Sequence, residues 1–225
     1  MVKNPATQDP GPALAAALEL LIRQGYNSTP VEELADVTGI SRSTFFRKFG
    51  SKEDVVFADH ERLLARAEAD LADATGDPLA AVTEAALMVF DQHVRNRKTS
   101  LLRNQLLHQV QTLRDRELVT THRYERSFRR HLQSALPQAD GEYGAVAFAA
   151  AVVAVHNRVL RHWLHDAEKG SDHRLDHIMA TRLGRELRSL VNIFRPSCTP
   201  GGCGTRPPCR RRYCSGTGCG YRAHP

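Results

Sequence analysis

The stretch from Thr29 to Lys52, TPVEELADVTGISRSTFFRKFGSK, constrains the fold more than any other part of the chain. Thr29 can cap a short helix, and Glu32 follows three residues later, which is the spacing of a capping box. We expect a turn at Gly39, because glycine adopts a positive φ angle without steric cost. Ser41 can then cap a second short helix. Two short helices around such a turn are typical of a helix-turn-helix, whose second helix enters the major groove of DNA.

The outward side of the second helix is polar and basic. Between Ser41 and Lys52 the sequence holds four basic residues and no acidic residue. Helix N-termini, hydroxyl groups and Lys or Arg side chains hold phosphates, and the same side chains reach base edges. The alternative is a helical hairpin with a solvated basic face. We expect groove contacts from Arg42, Ser43, Thr44 and Arg47, and phosphate contacts from Thr29, Ser41, Lys48 and Lys52.

Residues 14–55 resemble the N-terminal domain of the tetracycline-repressor (TetR) family. The resemblance rests on Gly25-Tyr26, Thr29, Leu34-Ala35, Gly39-Ile40-Ser41, Thr44, Phe49 and Ser51-Lys52-Glu53. It implies DNA contacts, mainly to phosphates, at Thr29, Arg42, Thr44, Phe46, Lys48 and Lys52. Two positions depart from the family pattern. Phe46 replaces a usual Tyr whose hydroxyl meets a phosphate, and Pro12 replaces a basic residue that often precedes the first helix.

The net charge of +6 does not itself indicate a nucleic-acid partner. Residues 195–225 hold six Arg and no acidic residue, and without them 25 basic residues balance 25 acidic ones. The DNA-binding prediction therefore depends on the local basic cluster of the second helix.

The C-terminal residues 196–225 are rich in Cys, Arg, Gly and Pro, and this composition favours disorder. All five Cys lie there, separated by four, five, four and four residues, so the C-x-x-C spacing of structural zinc sites is missing. A metal- or redox-responsive tail, non-specific DNA contact through Arg210–Arg212, and a shifted reading frame remain alternatives. A body without Cys favours a reducing cytoplasm, and we expect no signal peptide and no membrane span.

Helical periodicity extends over the rest of the chain, and no run of alternating residues indicates a strand. The first helix should stop at Gly25, and a longer helix from Ser51 to about Leu71 should join the head to the body. Asp77 should cap the next helix, with Pro78 at its first position. We therefore predict an all-α protein of about nine helices.

We divide the chain into four segments. Residues 1–12 should be a disordered N-terminus, and residues 13–57 a three-helix DNA-binding domain with its motif at about 30–49. Residues 58–195 should form a helical effector-binding and dimerisation domain, followed by a disordered tail at 196–225.

The helix predicted from Asp140 to Lys169 is apolar nearly all round, so it must be buried. Paired with the last helix it would leave an apolar face open, which two copies could close as a four-helix bundle. The resemblance implies the same dimer interface, and the alternative is an ordinary monomer core. Candidate interface residues are Phe148, Val152, Val159, Leu183, Leu187 and Leu190.

The resemblance also implies that a small apolar or amphipathic effector binds inside the body. Candidate lining residues are Phe90, Leu106, His108, Val155 and Trp163, although residues of these types at such positions are more often plain core. We predict no metal and no cofactor, because the pairs His162–His165 and His173–His177 lack a third ligand. No enzyme motif is present.

The chain is thus predicted to be a cytoplasmic transcriptional regulator and not an enzyme, most simply a ligand-responsive homodimeric repressor on a palindromic operator of double-stranded DNA. The alternatives are an activator or effector-independent DNA binder with the same head, and a helical enzyme or scaffold.

Overall fold

The computed structural model describes residues 11–136, 138–170 and 173–195. These ranges hold helices and turns without a strand, which confirms the predicted all-α fold. The ten helices are α1 (Gly11–Gln24), α2 (Val31–Val37), α3 (Arg42–Phe49), α4 (Lys52–Val56), α5 (Ala58–Ala72), α6 (Pro78–Arg95), α7 (Arg97–Gln109), α8 (Gln111–Ala135), α9 (Gln138–Glu168) and α10 (Arg174–Phe194). Gly11 and Pro12, predicted to be disordered, begin α1. Residues 1–10 and 196–225, which were predicted to be disordered, lie outside the described residues.

Helices α1 to α4 form a head around one apolar cluster. Leu34 of α2 and Phe45 of α3 are fully buried in it. The body contributes to the same cluster, because Leu106 of α7 and Leu113 of α8 are also fully buried there. Helix α7 packs directly against α1. The head therefore shares its core with the body, and the described residues up to Arg195 belong to one compact unit.

The helix predicted from Ser51 to about Leu71 is in fact two helices, which is why ten are found where nine were predicted. The break lies at Phe57, whose backbone leaves the helical conformation at φ −108° and ψ 11°. A side chain from α7 stabilises it, because Nε of Arg103 donates a hydrogen bond of 2.8 Å to the carbonyl oxygen of Val56. The backbone N–H of His60 turns instead to the carboxylate of Asp59, at 2.9 Å.

Arg103 and Asp59 form a buried ion pair at this break. Both residues are about 95% buried. Burial alone would raise the pKa of Asp59, but the charge and hydrogen bond of Arg103 outweigh it and hold that pKa well below its usual range. The carboxylate is therefore ionised at neutral pH, and the link between α7 and the break is charge-assisted.

The body, helices α5 to α10, packs around a second and larger apolar cluster. Asp77 caps α6 as predicted, because its Oδ1 accepts a hydrogen bond of 3.0 Å from the backbone N–H of Leu79. The indole of Trp163 is fully buried, and its Nε1 donates to Oδ1 of Asp176 at 2.7 Å. This bond ties α9 to the start of α10.

Helix α9 is the longest helix among the described residues. Its segment Tyr143–Glu168 is long and apolar enough to cross a membrane, judged by length and composition only. In the structure one side of α9 packs on α6, α8 and α10, as a core helix of a bundle does.

Candidate DNA-binding surface and interior cavity

The turn between α2 and α3 has the geometry of a helix C-cap with a left-handed residue. Gly39 lies at φ 71°, a region that glycine occupies without strain. The N–H of Gly39 donates to the oxygen of Asp36 at 3.0 Å, and that of Ile40 donates to the oxygen of Ala35 at 3.0 Å. These two bonds make a Schellman motif. The predicted turn at Gly39 is therefore confirmed.

Helix α3 begins at a capping serine, as predicted. Oγ of Ser41 accepts a hydrogen bond of 3.3 Å from the backbone N–H of Thr44 and donates one of 3.0 Å to the Thr44 hydroxyl. Phe45 is fully buried. This fixes the rotation of α3, so that its opposite side faces outward. The residues exposed there are Ser41, Arg42, Ser43, Phe46, Arg47 and Lys48, with Thr44 half-buried beside them.

Two of the exposed cations lie over aromatic rings. The guanidinium of Arg42 is 5.6 Å from the ring centre of Phe46, and Nζ of Lys48 is 5.1 Å from that of Phe49. Arg42 also pairs with Glu32 of α2, with 2.8 Å between Nε and Oε1. Both partners of this ion pair are exposed, so it contributes little stability and opens readily.

Thr29 and Lys52 differ from the other predicted DNA contacts, because both are engaged inside the head. Thr29 is 1% exposed, and its hydroxyl donates to the oxygen of Gly25 at 2.8 Å. Helix α2 consequently has no side-chain cap, and the predicted capping box is wrong. Nζ of Lys52 donates to the oxygens of Tyr26 and Thr29 at 2.9 and 3.1 Å. Lys52 therefore holds the turn between α1 and α2 against α4.

A cavity lies in the body beneath the break between α4 and α5. The space open to the centre of a water-sized sphere is about 50 Å³, so a ligand larger than a few water molecules has to widen it. Most of the exposed area of its wall is apolar, although eight of its fourteen lining residues carry a polar group. The lining residues are Phe57, His60, Ala86, Val89, His93, Glu117, Thr120, Thr121, Tyr124, Phe128, Val153, His156, Asn157 and Leu160.

Three histidines from three helices meet at this cavity. The ring centres of His60 and His93 are 5.2 Å apart, and those of His93 and His156 are 6.3 Å apart. Burial lowers the pKa of His60 and of His156 to about 4, and it also places that of His93 well below its usual value. All three imidazoles are therefore neutral at pH 7. Burial has the opposite effect on Glu117, whose pKa it raises.

None of the five predicted effector residues lines this cavity. Phe90 lies behind its wall, edge-on to the ring of His156 at 6.1 Å. Leu106 belongs to the core of the head, and His108 is exposed on the surface. Val155 is half-buried in the body, and Trp163 is held by Asp176 (described above). Helical periodicity identified inward positions but not the face of each helix that borders free space.

The residues predicted for a dimer interface lie mostly in the core of a single chain. Leu190 is half-buried, and the other five, Phe148, Val152, Val159, Leu183 and Leu187, are buried. A surface that meets a second copy would have to use other positions. Helix α9 exposes a stripe of small residues at Ala147, Ala150 and Ala154.

The sequence interpretation missed two features. It gave no role to the histidines His93 and His156, and none to Arg103. Neither is marked by local spacing, because each depends on helices that are distant in the sequence. Within the described part of the chain, no three His, Cys, Asp or Glu side chains are arranged to hold a metal ion.

Comparison with known proteins agrees with this geometry. The family described as "Bacterial regulatory proteins, tetR family" matches residues 13–58. The HTH-type transcriptional regulator TcmR of Streptomyces glaucescens is 51% identical over 39 residues, which are 17% of this chain and 17% of that protein. The matched segment thus spans far less than two thirds of that relative.

Solved structures extend the similarity to the body. The transcriptional regulator FadR of Bacillus subtilis, solved with stearoyl-CoA, is 17% identical, with a TM-score of 0.53 over 80% of this chain and 96% of that one. MexZ, a repressor of Pseudomonas aeruginosa, is 19% identical, with a TM-score of 0.52 over 83% and 94%. At these identities the likeness concerns the fold alone. Residues 13–58 are therefore similar to the helix-turn-helix segment of the tetR family of bacterial regulatory proteins, and the chain shares its helical fold with solved regulators.

Proposed function

We propose that the protein is a cytoplasmic transcriptional repressor that binds a palindromic operator as a homodimer and releases it when a small molecule occupies the body. The observation that carries this proposal is the outward side of α3, where the Ser41 cap and the burial of Phe45 turn Arg42, Ser43 and Arg47 to solvent. A short helix with exposed hydroxyl and guanidinium groups fits the major groove of B-DNA.

The proposed DNA-contacting residues fall into groups according to their exposure to solvent. Arg42, Ser43 and Arg47 are exposed enough to reach base edges, while Ser41 and Lys48 flank them and suit phosphates. A phosphate contact from Lys52 would have to replace its bonds to the backbone oxygens of the turn between α1 and α2. Four basic residues per head and eight per dimer predict a log–log salt slope of about −4 to −7 if most engage.

Dimerisation follows from the uncovered side of α9. Only 39% of its most apolar stretch is buried within one chain. The exposed positions Ala147, Ala150 and Ala154 are separated by three and four residues, so they lie on one face, and their small side chains permit a close approach of two helices. A second copy covering this face would relate the two heads by a two-fold axis, as a palindrome requires.

Oligomeric state tests this step separately. Ala150→Arg should convert the dimer to a monomer in light scattering, because it places a charge in the proposed interface. Ala69→Arg, at an exposed position of α5, is the matched control and should leave the dimer intact. A wild-type protein that is monomeric at micromolar concentration would contradict the proposal.

The effector site we assign is the cavity beneath the break between α4 and α5. FadR of Bacillus subtilis, a protein of the same fold, was solved with stearoyl-CoA, so a body of this kind can hold a ligand. Phe57 and His60 belong both to the cavity wall and to the break itself. A ligand lowers DNA affinity only to the extent that it binds the released conformation better than the DNA-bound one.

A footprint on the DNA that flanks the gene, followed by fluorescence anisotropy on the protected sequence, tests the DNA-binding function. Arg47→Ala should weaken operator binding by about tenfold or more, which is the effect of losing one bidentate contact to a base. Arg66→Ala removes an exposed arginine from α5 and should change little. Equal retention of random and protected DNA at moderate salt would favour a helical enzyme or scaffold, and increased transcription would favour an activator.

A further inference from the structure

One nitrogen of His156 is buried at the cavity without a partner. Its Nδ1 lies 3.2 Å from Oδ1 of Asn157, and because a carbonyl oxygen only accepts, Nδ1 carries the proton. The other nitrogen of a neutral imidazole is then a hydrogen-bond acceptor. Among the described residues nothing donates to Nε2 of His156, which is fully buried. A buried acceptor without a donor is costly, so this atom indicates a missing donor.

The ring of His93 also carries its proton on Nδ1. The hydroxyl of Ser100 donates its one proton to the backbone oxygen of His93 at 3.0 Å. The same hydroxyl oxygen lies 3.4 Å from Nδ1 of His93, so it can only accept there. Nδ1 of His93 therefore carries the proton, and Nε2 is left as an acceptor. Two neighbouring imidazoles of the cavity thus both offer lone pairs.

The remaining walls define the rest of the ligand. Aromatic rings come from Phe57, Tyr124 and Phe128, and these present flat apolar surfaces. No Lys or Arg occurs among the described residues of the lining, while the Glu117 carboxyl does. The nearest buried cation, Arg103, is already paired with Asp59. An anionic group inside the cavity would therefore lie beside a carboxyl group, and the arginines that act on this carboxyl, Arg161 and Arg103, are not part of the lining.

We propose that this cavity takes an uncharged, largely aromatic ligand whose hydroxyl groups donate hydrogen bonds to the imidazoles of His156 and His93. The inference rests on the proposed function only in using its effector site, and it adds the chemical class of the effector. A phenol or fused aromatic diol meets these conditions. An acyl-CoA does not, because its phosphates need cations.

Binding to the full-length protein without DNA tests the ligand class, using calorimetry and thermal shift. The probes are 2,7-dihydroxynaphthalene, 2,7-dimethoxynaphthalene, which cannot donate, and 2-naphthoate, which is an anion. Zinc chloride tests the competing use of the three imidazoles as metal ligands. The diol should bind at least about tenfold more tightly than the dimethoxy compound, since each lost hydrogen bond to a buried acceptor has about that effect. This comparison uses the unaltered protein, so it does not depend on the folding of a variant.

Substitution then locates the site. His156→Phe keeps a flat ring but removes the acceptor, and it should weaken the diol about tenfold while leaving the dimethoxy compound unaffected. The matched control is His131→Phe on α8, because His131 also has a buried Nε2 without a partner in the described chain but lies outside the cavity. This control should bind the diol as the wild type does.

Three results would overturn the assignment. The first is tighter binding of 2-naphthoate or zinc than of the diol, and the second is that the diol binds no more tightly than its dimethoxy analogue or does not bind at all. The third is an unchanged affinity for the diol in a folded His156→Phe protein. The operator assay is separate from these measurements. A protein that binds the diol but no operator would contradict the proposed function, whereas operator binding without diol binding would contradict only the ligand class.

Discussion

Replacing Arg103 by methionine should be among the most damaging single changes in the body. The substitution keeps much of the side-chain volume but leaves the buried carboxylate of Asp59 without its partner. It also removes the donor to the oxygen of Val56. Breaking a buried ion pair by removing one partner costs about 3–5 kcal/mol. An unsatisfied carbonyl adds about 1–3 kcal/mol, less if water reaches it.

We therefore expect a loss of about 4 kcal/mol or more in the free energy of unfolding, which corresponds to roughly 8–16 °C in the melting temperature of a chain of this size. Urea titration followed by circular dichroism measures the loss. Arg95→Met is the matched control, because Arg95 forms an exposed pair with Asp91 one helical turn away and should cost less than about 1 kcal/mol.

The pH dependence of the free energy of unfolding tests the same explanation independently. In the wild type the folded pKa of Asp59 is depressed, so its stabilising contribution is present above the unfolded value of about 3.9 and is lost as the pH falls through the folded value. Without Arg103, burial raises that pKa, and protonation then favours the folded state. The difference in stability between the two proteins should therefore shrink between pH 7 and pH 5.

A second variant excludes a purely steric explanation. The double substitution Asp59→Leu with Arg103→Met leaves no buried charge and should recover most of the lost stability. The reasoning is refuted if Arg103→Met costs no more than Arg95→Met, or if the double variant is no more stable than the single one.

Three further predictions follow from the head and the cavity. Phe46→Tyr adds a hydroxyl to a ring that is 43% exposed and should tighten operator binding by up to about tenfold, measured by anisotropy, if this ring faces a phosphate. Glu32→Gln removes the partner of Arg42 and one negative charge, so it should tighten binding about two- to tenfold at low salt, with the gain lost at high salt. The pKa of His156 is about 4 in the fold against 6.5 as its ordinary value, so wild-type stability should fall as the pH drops from about 6.5 towards 4. The His156→Phe variant should show a smaller fall in the same urea titrations.

The head was predictable because its signals are local. The left-handed turn needs Gly39 and the start of α3 needs Ser41, and each feature is decided within four residues. The outward side of α3 followed in the same way from its polar and basic residues. The capping box failed although its spacing was correct, because the Thr29 hydroxyl has a competing acceptor at Gly25.

The break at Phe57 could not be predicted from its own neighbourhood. The residues around it have ordinary helical spacing, and the side chain that stabilises the break, Arg103, lies 47 residues from Val56 in the sequence. The cavity could not be predicted for the same reason. Phe90 and His93 both point inward from α6, but only His93 borders free space, and that distinction depends on how α8 and α9 pack against it.

The position of the break relates the two proposed activities to each other. Phe57 and His60 line the cavity, while Val56 belongs to α4, whose residues are part of the head. A ligand that enlarges the cavity would push on the same short segment that Arg103 holds by a hydrogen bond to Val56 and a buried ion pair with Asp59. Allosteric coupling energies are typically about 1–3 kcal/mol. That is comparable to the hydrogen bond and smaller than the ion pair, so a ligand can displace the oxygen of Val56 while Asp59 keeps its partner. On the proposed function, the break would move without unfolding the body, as repeated binding and release of DNA would require.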